Sequence, residues 1–179
     1  MKKAINLATA ISALLTVVFA VLVLGGLHWA VPFAITFGTF FYHFAMRLMV
    51  GHGLNQMMGN RADCTKAWYQ LRPFERKLYQ ILKVKKWKNH MPSYEPGLFD
   101  PSLHNWEEIA QAMCQAEIVH EVIAALSFLP LIAAIPFGAF PVFFLTSLLS
   151  AGFDLCFVIM QRFNRPRVIR LLEKERTVK

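Results

Sequence analysis

Two uncharged runs constrain this chain more than anything else in it. Residues 4–27 contain no Asp, Glu, Lys or Arg, and neither do residues 122–153. A helix crossing a bilayer takes about 20 apolar residues. The first run is therefore one span, and the second is long enough for two short ones around the break at Pro136-Phe137-Gly138. Residues 29–50 add another apolar run, interrupted only by His43 and Arg47. A composition of 56% hydrophobic residues with 16 Phe and 17% charged residues excludes an ordinary soluble domain. The expected fold is an all-α integral membrane protein, one membrane domain over residues 1–179. Its four transmembrane helices are expected at about 4–27, 29–50, 117–135 and 139–160.

The net charge of +8 invites a nucleic-acid reading, which the placement of the charges opposes. Of the 19 Lys and Arg, two precede the first span, nine lie in 51–104 and seven in 162–179, leaving Arg47 alone within a span. The connections Leu27 to Pro32 and Pro136 to Ala139 carry none. Positive residues gather on the cytoplasmic side of membrane proteins. Both termini, the long loop 51–116 and the basic tail 161–179 are thus expected in the cytoplasm. The partners expected are membrane lipids and a lipid-soluble small molecule, with no nucleic acid; basic surface of this kind suits anionic headgroups or a phosphate-bearing substrate.

Met1-Lys2-Lys3 before an apolar run also begins a signal peptide, but such an apolar core is about 7–15 residues, and no small-x-small cleavage site follows this longer one. Cys64, Cys114 and Cys156 are an odd number in or beside membrane or cytoplasmic segments, so no disulfide framework is implied.

Between the second and third spans, residues 51–63 are rich in Gly and Asn and read as loop or frayed helix end. From Trp68 to Trp87 apolar residues recur at helical spacing among Arg72, Arg76, Lys77 and Lys83, and Pro73 suits a helix start. The expectation is a basic amphipathic piece lying in the membrane surface, with a corner before Pro73. Lys83-Val84-Lys85-Lys86-Trp87-Lys88 follows, an anchor on acidic lipid or a collector of coenzyme phosphates. His90 and Glu95 have the spacing of an H-x4-D acyltransferase box, but Pro92 opposes the helical turn that such a box needs.

Asn105 with Glu108 three residues on predicts a capping box that starts the third membrane helix. Glu117, His120 and Glu121 then fall at i, i+3 and i+4, one face of that helix. In the fourth span the one ionisable group is Asp154, about 12 Å below Arg162 at 1.5 Å per residue. A carboxylate at that depth faces inward and takes a partner, for which His43 and Arg47, one turn apart on the second span, are the candidates. Pro166 is expected to end or bend the helix, with Arg162, Arg165 and Arg167 clustered at the surface.

Each of these groups alone has a structural explanation. Together, on three spans, they form a candidate site. Acyl transfer would use His120 as base for an acceptor hydroxyl, Glu117 or Glu121 to orient the imidazole, and an arginine for the oxyanion or donor phosphates. Glu-x-x-His is half of a di-iron motif whose second half is missing, so no metal is expected. A lipid methyltransferase or reductase and a non-enzymatic lipid-binding protein remain as alternatives. No Gly-x-Ser-x-Gly elbow, P-loop, dinucleotide fingerprint or Cys-x-x-Cys occurs, which favours direct transfer over a serine acyl-enzyme.

In order along the chain, Lys85-Lys86-Trp87-Lys88, Ala116-Glu117-Ile118-Val119-His120 and Gln161-Arg162-Phe163-Asn164-Arg165-Pro166-Arg167 resemble the glycosyl-4,4'-diaponeurosporenoate acyltransferase family. The resemblance spans roughly residues 68–172, and its closing motif is the most specific part. It implies a small bacterial cell-membrane enzyme that esterifies a fatty acyl chain to the sugar of a glycosylated carotenoid. It further implies importance for Trp87, Glu117, His120, Gln161, Arg162, Asn164, Arg165 and Arg167. Glu121, where an aromatic is expected, and the loop Tyr94-Glu95-Pro96-Gly97-Leu98-Phe99-Asp100-Pro101 depart from that pattern. The resulting expectation has His120, Glu117, Glu121 and Asp154 as catalytic groups. His43, Arg47, Trp87, Gln161, Arg162, Asn164, Arg165 and Arg167 bind substrate. The acyl donor is an acyl-CoA or a similar co-substrate, and no cofactor is permanently bound.

Overall fold

A computed structural model describes residues 1–178. It is all-helical, with no strand among the described residues: α1 (Lys2–Leu24), α2 (Val31–Met58), α3 (Pro73–Ile81), α4 (Val84–Trp87), α5 (Trp106–Leu126), α6 (Ala134–Phe137) and α7 (Phe140–Val178). Four helical stretches are long and apolar enough to cross a membrane: Lys2–Leu24, His28–Met58, Trp106–Phe137 and Phe140–Thr177. Leu7, Leu14, Val17, Val21 and Leu24 of α1 all point outward, as lipid-facing side chains do. The fold class expected from the sequence, an all-α membrane protein of four spanning helices, is the one observed.

Three helices outrun the apolar runs that define them. α2 continues to Met58, into the stretch 51–63 read as loop or frayed helix end. α5 begins at Trp106, well before the apolar run. α7 passes through Pro166 without ending, so of the expected end or bend the helix does not end there. Proline removes one intrahelical hydrogen bond and costs about 3 kcal/mol in a helix interior. The turn before it is held by Arg162 and Arg165, both buried in ion pairs, and those contacts override the local preference.

The chain forms two compact units, residues 1–51 with 123–152, and residues 52–122 with the chain from Phe153 onward. In the first, Phe19 of α1 stacks between Phe33 and Phe37 of α2 at 5.0 and 5.4 Å. The turn between those helices needs Gly26 at φ +87°, and Pro32 stands in the first turn of α2. Tyr42 donates its hydroxyl to the carbonyl of Leu126 at 2.8 Å, satisfying an acceptor that the end of α5 leaves open. Arg47 donates to the Ser150 hydroxyl at 2.8 Å and to the His43 carbonyl at 2.9 Å.

In the second unit α5 starts as predicted. The Glu108 amide donates to Oδ1 of Asn105 at 2.9 Å, and the Asn105 amide to Oε2 of Glu108 at 3.3 Å, a reciprocal capping box. Asn105→Ala is expected to cost about 1 kcal/mol, read as a lowered melting temperature of the protein in detergent. Pro73 opens α3 as expected. This helix turns Phe74, Leu78 and Ile81 outward and buries Glu75 and Tyr79. An amphipathic helix that buries its acid and exposes its apolar face suits a membrane surface.

Candidate functional site

Two polar clusters occupy the second unit. The first joins α5 to α7 through His120 and Asp154, whose Nδ1 and Oδ1 are 2.8 Å apart. With Asp154 ionised and the ring neutral, the carboxylate only accepts, the ring's proton lies on Nδ1 and Nε2 is left unprotonated. Asp154 is 1% exposed and the imidazole 21%. The ring lies flat on Phe157, one turn after Asp154 on the same helix, with centroids 4.4 Å apart and planes 7° apart. Phe153 packs edge-on against Phe157 at 5.1 Å. The imidazole is thus fixed in plane by a ring and in rotation by a carboxylate, while its Nε2 makes no hydrogen bond among the described residues.

The second cluster is a buried chain of charges. Glu117, 0% exposed, accepts from Arg162 Nη1 at 2.5 Å and from Arg165 Nη1. Arg162 also grips Glu75 of α3, with Nε to Oε2 at 3.0 Å and Nη2 to Oε1 at 2.6 Å. Its remaining donors reach the carbonyls of Trp68 at 2.9 Å and Gln70 at 3.0 Å, while Arg165 donates to the carbonyl of Tyr69. The Tyr79 hydroxyl donates to Glu75 at 2.8 Å. Burial pushes the Glu75 carboxyl up, but the hydrogen bonds from Arg162 and Tyr79 outweigh it and hold the group below the usual carboxylate range. Two arginines and two glutamates balance, and the three carbonyls bring the turn before α3 onto α5 and α7.

This arrangement redistributes the roles expected from sequence. Glu117 engages Arg162 and Arg165, and Glu121 accepts from the indole nitrogen of Trp68 at 3.0 Å. Neither carboxylate is hydrogen-bonded to His120 among the described residues; Asp154 is. Arg162 and Arg165 are buried, not displayed at the surface, whereas Arg167 is exposed. Gln161 is buried in α7, and the Trp87 indole donates to the carbonyl of Leu82 at 3.0 Å. Asn164 accepts from Lys88 at 2.5 Å. His43 and Arg47 belong to the first unit. Sequence reasoning missed Glu75, although a signal was present: it is the only acid between Asp63 and Glu95, in the most basic part of the chain.

The family model for glycosyl-4,4'-diaponeurosporenoate acyltransferase matches residues 65–174, more than half of the chain. The chain belongs to this family. No curated protein and no solved structure matches it. The acyltransferase match contains both clusters whole, from Trp68 to Arg165, and leaves out His43 and Arg47.

Proposed function

We propose that the protein is a membrane acyltransferase that moves a fatty acyl group from a thioester donor to a hydroxyl of a lipid-soluble, glycosylated acceptor at the cytoplasmic leaflet. The observation that carries this reading is the His120–Asp154 pair: an oriented imidazole, partly accessible, on a nearly fully buried carboxylate, inside the segment that matches an acyltransferase family. His120 Nε2 takes the proton of the acceptor hydroxyl as its oxygen attacks the acyl carbonyl. The C–O bond forms, the C–S bond breaks, and the departing thiolate receives the proton back from the imidazolium. Asp154 holds the tautomer and stabilises the cation formed on the way. The positive-inside distribution of Lys and Arg supports the leaflet, with both termini in the cytoplasm.

The test is transfer itself. Purified protein in lipid, given radiolabelled acyl-CoA and a glycolipid extract containing glycosylated carotenoids, is expected to yield a labelled, alkali-labile lipid ester. Failure to label any lipid, with the protein folded, would overturn the reading.

A further inference from the structure

Arg162 and Arg165 are neutralised by Glu75 and Glu117, so the cations free to meet an anionic ligand lie elsewhere in the second unit. Two of them, Lys88 and Arg167, converge on Phe163. The Nζ of Lys88 sits 5.2 Å from the centre of that ring, and Cζ of Arg167 sits 5.8 Å from it. Lys88 also donates to Oδ1 of Asn164 at 2.5 Å, and no carboxylate pairs with either cation among the described residues. Phe163 is itself fixed edge-on against Tyr79 at 5.9 Å.

This grouping has a purely structural explanation, that Lys88 clamps the segment after α4 to α7. One cation on the ring would serve that purpose. A second is a cost, because like charges at close range oppose each other. The electrostatics show that cost: burial first, then Arg167 and Lys85, depress the pKa of Lys88. Lysine and arginine supply point-charge and forked donors, the pair of geometries that holds phosphate oxygens, and the Asn164 amide lies against the lysine.

We propose that Lys88, Asn164 and Arg167 form a phosphate-binding subsite. The ligand class is a phosphate ester, carried either by the nucleotide part of a coenzyme A thioester or by an acidic phospholipid headgroup. Assignment to the thioester rests on the acyl-transfer reading; the subsite does not.

Full-length protein in phosphatidylcholine nanodiscs is titrated with coenzyme A and with pantetheine, which lacks the phosphates. The same protein is then assayed for retention of phosphatidylglycerol in mixed-lipid discs. Coenzyme A is expected to bind, and Lys88→Gln with Arg167→Gln to weaken it by about tenfold or more per cation, while any pantetheine binding is unchanged. Arg167→Lys, which keeps the charge, is expected to lose less, and raised salt to mimic the double variant. If the double variant loses phosphatidylglycerol enrichment and coenzyme A never binds, the subsite stands and the headgroup is its ligand. If Lys88→Gln/Arg167→Gln, folded by circular dichroism and melting, matches wild type for both probes, the subsite is disproved. His120→Gln is expected to bind coenzyme A as wild type does, so loss of transfer and loss of phosphate binding read separately.

Discussion

Replacing His120 by glutamine is expected to lower the rate of acyl transfer by about 10²–10⁴-fold, the contribution typical of a positioned general base. Glutamine keeps a polar side chain in the same space and can still approach Asp154, but it cannot take a proton from an acceptor hydroxyl. Asp154→Asn is expected to lose most of that factor too, for a different reason. With the carboxylate gone, the imidazole no longer has a partner that demands a proton on Nδ1, so the tautomer with a basic Nε2 is not enforced. The two losses should not add, because both remove the same oriented base. Initial rates with labelled acyl-CoA, measured on the single and double variants, check this. Transfer by His120→Gln at the wild-type rate would remove His120 from the mechanism.

Replacing Glu117 by glutamine is expected to destabilise the protein by about 3–5 kcal/mol, the cost of breaking a buried ion pair from one side. Glu117 is 0% exposed and receives both arginines, so its loss leaves Arg165, 4% exposed, with the Tyr69 carbonyl but no counter-charge. Arg162 retains Glu75 and suffers less. The effect should therefore reside mainly in the Glu117–Arg165 pair. Adding Arg165→Met to Glu117→Gln is expected to recover much of the lost stability, since removing both buried charges is far cheaper than orphaning one. Denaturant unfolding of the purified protein, arranged as a double-mutant cycle, gives the coupling. Additive losses would show that the two side chains are not energetically paired.

These expectations separate two kinds of polar residue that look alike in the sequence. Glu117 and His120 are one helical turn apart on α5, and spacing makes them candidates for one catalytic unit. The fold instead assigns Glu117 to the arginines of α7 and His120 to Asp154. Helical periodicity says which residues share a face; it does not say which side chain of a neighbouring helix each one meets. Arg162 shows the same limit. Its position after an apolar run suggests an exposed flank, but a buried acid on α3, more than eighty residues away in the chain, draws it inward. No local signal marks that pairing, beyond the isolation of Glu75 among cations.

What the sequence by itself determined was whatever depends on composition and near neighbours. The uncharged runs demanded spanning helices because an unpaired backbone cannot be left in lipid. Asn105 and Glu108 closed the start of α5 because the partners are three residues apart. The family match follows from the order of residues alone. Only the tertiary structure decided that α7 survives Pro166, that Arg162 and Arg165 are locked into a neutral network, and that Asp154 is the acid on His120. Each of those depends on helices distant in sequence meeting in one register. A buried charge takes whichever counter-charge the packing brings within hydrogen-bond reach, and sequence spacing carries no information about that distance.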